Sequence, residues 1–263
     1  MLDVRNARAT FLRGTPNERA ALSNLSLTLE GGEFITIIGS NGAGKSTLFN
    51  AISGSLLLDS GSITLGGEDI TWKLPHERAL SIGYLFQNPM KGTAPNMTIA
   101  ENISLAYSRK KIRPLRKGVS KGDLDVFRDM LARFGMGLED RMAERAGHLS
   151  GGQRQALTLL MATVANPSLL LLDEHTAALD PAAAEKIMGI TNEIVAERKL
   201  STMMITHNIQ QALRFGSRTV MMEDGSVILD ITGPERSGMT VHRLMELYSG
   251  RARRELDNDR MLL

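Results

Sequence analysis

The sequence contains no cysteine, which excludes disulfide bonds, zinc sites built on thiolates and any thiol chemistry. It has no uncharged apolar run of about 18 residues, so we expect no helix to cross a membrane. Residues 1–6 also lack the apolar core of a secretory signal peptide. Neither sign of charge dominates, because 31 basic residues stand against 29 acidic ones, and this balance predicts no nucleic-acid partner. Any membrane role must therefore come through a partner chain.

The strongest positive signal is a glycine-rich loop between a predicted strand, residues 34–38, and a predicted helix that starts near residue 48. Its glycines let backbone N–H groups turn inward around phosphate oxygens, and the helix start adds a partial positive charge. Lys45 can reach the β- and γ-phosphates, and the Ser46 hydroxyl can bind Mg²⁺. The pattern predicts a phosphate-binding loop formed by Ser40, Asn41, Gly42, Ala43, Gly44, Lys45, Ser46 and Thr47.

A second signal is a pair of acidic residues that follows a predicted buried strand of four leucines, residues 169–172. Asp173 and Glu174 come directly after it, at the carboxyl end of the strand. Asp173 can hold Mg²⁺ and Glu174 can orient or deprotonate an attacking water, although a solvated strand end would show the same residues.

A helix start is predicted at Ser150, which is a natural N-cap. The paired glycines behind it, Gly151 and Gly152, expose backbone N–H groups and can form a second anion site. One chain rarely needs two such sites for one phosphate group, so the second site can serve the nucleotide of another copy of the protein. An ordinary capped helix is the alternative.

Three other residues are weaker candidates. Gln87 and His207 each end an apolar strand, where a ligand would lie in an α/β sheet, yet both also suit structural roles. Phe11 ends the first strand and is either a core residue or a surface on which adenine stacks. Residues 109–121 contain seven basic residues and no acidic one. This segment is either a solvated loop or a surface that binds anionic lipid or an acidic protein. It suits nucleic acid less well, because no aromatic residues lie between the charges.

Taken together, the order of these motifs resembles an ABC-type ATPase over about residues 2–248. The matching motifs of that family are its Walker A loop, Q-loop, signature, Walker B strand, D-loop and H-loop, found here at residues 39–47, Gln87, 149–153, 169–174, 178–180 and His207.

The resemblance implies a role for each matching residue. Phe11 would stack on adenine, the loop residues and Lys45 would hold the phosphates of ATP, and Mg²⁺ would be bound by Ser46, Gln87 and Asp173. Glu174 would be the general base, with His207 and Gln87 as the other catalytic groups. The residues that reach the ATP of a second copy would be Ser150, Gly151, Gly152, Gln153 and Asp180.

The implied fold is an α/β P-loop NTPase of ABC type, in which a parallel-rich core sheet is joined by an antiparallel N-terminal β region. We expect a single domain over residues 1–263. The core would comprise 1–87 and 166–248, the helical signature lobe 88–165, and a short tail 249–263.

The implied function is an ATP-hydrolysing subunit that powers small-solute import through a separate membrane permease. The expected partners are a second, head-to-tail copy, the permease and, indirectly, an extracytoplasmic binding protein, with the chain at the cytoplasmic face of the membrane. His175, where the family usually has proline, and residues 154–163 resemble the branch that includes importers of aromatic amino acids. The alternatives are an exporter ATPase and a soluble assembly or scaffold ATPase.

Overall fold

The computed structural model describes residues 1–109 and 119–248. The strands in this part of the chain are β1 (Leu2–Phe11), β2 (Arg19–Leu29), β3 (Phe34–Gly39), β4 (Ser60–Leu65), β5 (Glu68–Asp69), β6 (Ile82–Leu85), β7 (Leu169–Asp173), β8 (Ser201–Ile205), β9 (Arg218–Glu223) and β10 (Ser226–Ile231).

The helices described are α1 (Lys45–Ser53), α2 (Pro75–Arg78), α3 (Ile99–Tyr107), α4 (Lys121–Ala132), α5 (Gly151–Thr163), α6 (Pro181–Arg198), α7 (Ile209–Arg214), α8 (Gly233–Ser237) and a last one, α9, over residues 241–248. The chain forms two compact units. The first comprises Met1–Trp72 and the chain from Met203 onward, and the second is Lys73–Thr202.

An antiparallel sheet at the N-terminus of the first unit has the strand order β2-β1-β4-β5. Its β2 strand shows the expected period of two, since Leu25, Leu27 and Leu29 are buried while the residues between them are exposed. The predicted antiparallel N-terminal β region is confirmed.

The first unit also holds strands in the order β10-β9-β3, with Met203–Ile205 of β8 beside β3. β3 and β9 are parallel, whereas β9 and β10 form an antiparallel hairpin. A buried cluster underlies these strands and includes Ile38, Met221 and Leu244. β3 is buried from Phe34 to Ile38, as its apolar run predicts, and it leads directly into the glycine-rich loop.

In the second unit, β6 and β7 form a parallel pair in register from Ile82↔Leu169 to Leu85↔Leu172. All four leucines of β7 are completely buried. Helices α3 and α4 begin with reciprocal side-chain caps, Thr98 with Glu101 and Ser120 with Asp123, and both pack against α5. The expected parallel pairing in the core is therefore confirmed in both units.

Candidate functional site

The glycine-rich loop of the first unit has the geometry of an anion cradle. Gly42 and Gly44 have positive φ angles of 85° and 95°, which only glycine adopts without strain. A side chain on Gly44 would also overlap the carbonyl of Ala21. Gly44 is the N-cap of α1 and supplies no side-chain cap, so the first N–H groups of the helix are available to an anion.

Lys45, the first residue of α1, is 6% exposed. Its Nζ donates hydrogen bonds of 2.8 Å to the carbonyl oxygens of both Gly39 and Ser40. The ammonium group is thus held against the loop that is predicted to bind phosphate. Ser46, the next residue, is exposed and can offer its hydroxyl to a ligand.

Behind the loop lies the turn of the β9–β10 hairpin. The N–H of Gly225 donates to the carbonyl of Ala43 at 3.1 Å, and the N–H of Ser23 donates to the carbonyl of Gly225 at 2.9 Å. The first bond anchors the loop to the hairpin turn, and the second anchors that turn to β2.

Phe11 at the end of β1 is 44% exposed, which excludes the core role that the sequence left open. Its cross-strand partner is Arg19, the first residue of β2. The Arg19 guanidinium extends to the glycine-rich loop, where Nη2 donates to the Gly42 carbonyl at 3.1 Å. No local motif singles out Arg19, because its pairing with Phe11 depends on strand register.

His207 is exposed directly after β8. The preceding residue, Thr206, is buried, and its N–H donates to the carbonyl of Ile37 on β3 at 3.2 Å. His207 therefore follows a residue bonded to the strand that leads into the glycine-rich loop. The structure brings this loop, Phe11 and His207 into the same unit.

The acidic pair lies in the second unit with Gln87. Asp173 is 9% exposed at the end of β7, and Glu174 has a left-handed φ of 46°. Gln87 Nε2 donates to Glu174 Oε2 at 2.9 Å, so this amide orients the predicted general base. Two residues predicted from separate parts of the sequence thus meet.

Tyr84 is a site residue that the sequence analysis missed. Its hydroxyl donates to Asp173 Oδ2 at 3.2 Å, and its ring stacks on that of Phe86 with centroids 4.3 Å apart. Burial, with a smaller contribution from the neighbouring Asp173, raises the pKa of Tyr84, so the hydroxyl keeps its proton. The pairing of β6 with β7 creates this contact, which no local motif marks.

His175 follows the acidic pair and is 3% exposed. Its Nε2 has no hydrogen-bond partner among the described residues. Burial lowers the pKa of His175 to about 4, so the imidazole is neutral near pH 7. A buried neutral ring at this position suits packing better than proton transfer.

The segment at residues 150–153 is a capped helix start, as predicted. Ser150 Oγ accepts from the N–H of Gln153 at 3.3 Å, and the Gln153 side chain accepts from the N–H of Ser150. The guanidinium of Arg154 fixes the preceding turn by donating to the carbonyls of Ala146 and Gly147.

Asp180 lies beside this segment. It caps α6 by accepting from the N–H of Ala183 at 3.0 Å. A surface depression is lined by Ser150, Gly151, Gly152, Gln153 and Asp180 together with neighbouring residues. The residues predicted to face another copy therefore share one surface of the second unit.

Two further sequence features are the basic stretch at residues 109–121 and the lack of long apolar runs. Most of the basic stretch, 110–118, lies outside the described residues. Among those that are described, no helix is both long enough and apolar enough to span a bilayer.

Comparison with known proteins identifies the family, because residues 22–177 match the family model described as ABC transporter. The chain belongs to the ABC transporter family. This ABC cassette is 40% identical over 248 residues to the tyrosine transport ATP-binding protein of Clostridioides difficile R20291, covering 94% of the chain and 98% of that relative. It is 36% identical to the thiamine import ATP-binding protein ThiQ of Escherichia coli K12, over 86% of the chain and 88% of ThiQ.

The cassette also resembles a protein that is named for a process other than uptake. It is 34% identical to the lipoprotein-releasing system ATP-binding protein LolD of a Ruegeria species, over 86% of the chain and 97% of LolD. Among solved structures, it resembles a dimeric ATP-binding cassette in a post-hydrolysis state bound to ADP and Pi. That match has a TM-score of 0.74 and 29% identity and covers 88% of the chain and 98% of the other. The cassette therefore has the ABC-type P-loop NTPase fold, binds ATP and is an ATPase.

Proposed function

We propose that this cassette powers the import of a small, amino-acid-like solute through a separate membrane permease. The observation that carries this proposal is its 40% identity, over nearly the full length of both chains, to a tyrosine transport ATP-binding protein. The thiamine import relative supports uptake as the direction. Export is the second candidate, because a lipoprotein-releasing ATPase is also similar.

Within this proposal, the glycine-rich loop and Lys45 bind the phosphates of ATP, and Phe11 stacks on its adenine. Lys45 stabilises charge on the β- and γ-phosphates, where negative charge builds up as the bond breaks. Glu174, oriented by Gln87, accepts a proton from the attacking water, and His207 contacts the γ-phosphate.

The donor set also suits Mg²⁺, which is usually held by one or two carboxylates together with substrate phosphates. We propose Ser46, Gln87 and Asp173 as its protein ligands. When bound, the ion would neutralise charge on the phosphates. Asp173 fits this role because its carboxylate ends a buried strand and is oriented by the Tyr84 hydroxyl.

We further propose that two copies close head-to-tail over two ATP molecules. The shared surface of Ser150, Gly151, Gly152, Gln153 and Asp180 would face the ATP of the other copy. The proposed helical lobe, 88–165, carries residues 150–153 of this surface, whereas Asp180 belongs to the proposed core. Binding of ATP would favour the closed dimer and hydrolysis would release it, which moves the permease between two states.

A permease must dock at the cytoplasmic face of the membrane. We propose that exposed apolar side chains of the second unit receive it. Leu105 on α3 and Met90, which follows Gln87, are 55% and 45% exposed. A protein partner that covers these side chains would remove apolar surface from water, which favours association.

The absence of cysteine allows a sharp test, since one introduced cysteine carries a crosslinker at a single known position. Leu105→Cys in intact cells should crosslink to a multi-span membrane protein. Leu57→Cys is the matched control, because Leu57 is also 55% exposed but lies in the first unit. Equal labelling of both variants, or capture of soluble proteins alone, would favour a soluble assembly ATPase.

The cargo and the direction need a second experiment. The cassette should be purified with its permease from gently solubilised membranes. An extracytoplasmic binding protein at equal stoichiometry would support import, and its bound small molecule would name the cargo. An accessory protein without a bound solute would instead support export.

A further inference from the structure

The side chain of Arg19 crosses from the start of β2 to the glycine-rich loop. Its Nη2 donates to the Gly42 carbonyl at 3.1 Å. A Cβ atom added to Gly42 would lie only 2.7 Å from that nitrogen, so the absence of a side chain there lets the guanidinium approach. A cation is therefore fixed on the outer side of the phosphate cradle.

Arg19 and Phe11 are direct partners in the antiparallel pairing of β1 and β2. Partners in such a pair project from the same face of the sheet, with Cβ atoms roughly 5 Å apart. The two side chains therefore start from neighbouring positions on one face of the sheet, and both residues are exposed.

The guanidinium of Arg19 contacts a neutral group of the glycine-rich loop. Among residues 1–109 and 119–248, no carboxylate forms an ion pair with it. The interaction seen is with a neutral carbonyl, which leaves the positive charge available to an anion. A guanidinium also has five N–H donors in a planar fork, so binding to Gly42 leaves donors for a second acceptor.

We infer that Arg19 binds the sugar–phosphate part of a nucleoside di- or triphosphate whose base stacks on Phe11. Arg19 lies between the aromatic ring and the phosphate loop, which is where ribose and the first phosphates join the base to the terminal phosphates. This inference rests on the proposed nucleotide site and adds a residue to it.

Arginine suits this role because its planar fork binds phosphate oxygens with good geometry, and its charge does not depend on pH. Lysine would keep the charge but lose the paired donors. Glutamine would keep a donor for the Gly42 carbonyl and lose the charge. The two substitutions therefore separate attraction to the nucleotide from support of the loop.

The test measures the dissociation constants of ATP, ADP and adenosine for the purified full-length chain by calorimetry. We expect Arg19→Gln to weaken the binding of ATP and ADP about five- to ten-fold, which is typical of losing a partly exposed charged hydrogen bond. Adenosine should bind as in the wild type. The affinities of Arg19→Lys for ATP and ADP should lie between those of the wild type and those of Arg19→Gln.

Arg5→Gln is the matched control, because it changes net charge equally at an exposed arginine of β1. It should leave all three dissociation constants unchanged. Affinity of the wild type for ADP should also fall more steeply with salt than that of Arg19→Gln, since screening acts on the charge contact.

Unchanged ADP and ATP affinity in Arg19→Gln, with weaker binding in Lys45→Ala, would overturn the inference and leave the proposed function intact. An equal loss for adenosine, or a lower melting temperature of the nucleotide-free variant, would show that Arg19 supports the loop instead. Failure of the wild type to bind ATP would overturn the proposed function itself.

Discussion

The hydroxyl of Tyr84 on β6 donates to the carboxylate of Asp173 at the end of β7, across 3.2 Å. The stack on Phe86 holds the Tyr84 ring in place, and burial keeps the hydroxyl protonated. The bond therefore fixes which way the Asp173 carboxylate faces. A group that orients a metal ligand affects metal binding although it does not touch the metal.

Tyr84→Phe removes this hydroxyl and leaves the ring. We expect ATP turnover to require about ten-fold more Mg²⁺ for half-maximal rate, as is typical when the partner of a metal ligand is lost. Binding of Mn²⁺, followed by electron paramagnetic resonance in the presence of ADP, should weaken in parallel. Tyr107→Phe is the control, since Tyr107 packs edge-on against Phe127 on other elements of the same unit. Equal metal dependence of both variants would contradict the role of Tyr84.

Glu174→Gln tests the general base. The amide oxygen of glutamine can still accept from Gln87, so the local geometry should survive while proton abstraction is lost. We expect turnover to fall by at least ~10²-fold, while ATP binds with near-normal affinity and the closed dimer accumulates. Glu193→Gln, at an exposed position of α6, should behave as the wild type. Turnover close to normal in Glu174→Gln would remove Glu174 from its assigned role.

Stability should depend on pH through His175. Burial lowers the folded-state pKa to about 4, below the ordinary value of 6.5, so the unfolded chain binds a proton more readily. The stability that comes from keeping His175 neutral is fully present above pH 6.5 and is lost as the pH falls toward 4. The free energy of unfolding should therefore fall by about 2 kcal/mol between pH 7.5 and pH 5.

His175→Leu should reduce that fall in the free energy of unfolding, measured by urea denaturation at both pH values. His242→Leu is the control, because His242 is exposed and pairs with Glu246. If His175→Leu and the wild type lose the same stability between pH 7.5 and pH 5, the effect comes from other groups.

The segment that follows Gln87 in the sequence packs tightly against helix α5. A methyl group on Gly92 would overlap Cγ2 of the buried Thr158. Gly92→Ala should therefore lower the free energy of unfolding by about 2 kcal/mol, a typical cost of overpacking. Thr158→Ser removes the obstructing methyl group and keeps the hydroxyl that donates to the Arg154 carbonyl.

The double variant Gly92→Ala/Thr158→Ser should accordingly be more stable than the sum of the two single changes predicts. Strict additivity in a double-mutant cycle, measured by urea denaturation, would show that the two residues are not in contact.

Local sequence signals predicted most elements of this fold. The strand expected over residues 34–38 is β3, and the helix expected near residue 48 is α1, which begins at Lys45. The strand expected over residues 169–172 lies in β7, Phe11 ends the first strand, and Ser150 caps α5 as expected. The start of α1 was harder to predict, because its N-cap Gly44 supplies no side-chain cap.

Contacts between distant segments could not be predicted in the same way. Tyr84 meets Asp173 and Arg19 meets Phe11 only because strands pair in a particular register. Register depends on the burial of whole strands and not on a local pattern. The short helices α7 and α8 were missed as well, since five or six residues carry little periodicity.

The bracing of the glycine-rich loop has a consequence for synthesis of the protein. The strand before the loop, β3, pairs with residues 218–222 of β9, and the Ala43 carbonyl is bonded to Gly225. A ribosome makes these supports about 180 residues after the loop (225 − 43 = 182). Contacts of such high sequence separation form slowly. The nascent chain should therefore remain unable to retain nucleotide until β9 and the turn at Gly225 have been made, so a shorter chain that lacks them should not hydrolyse ATP.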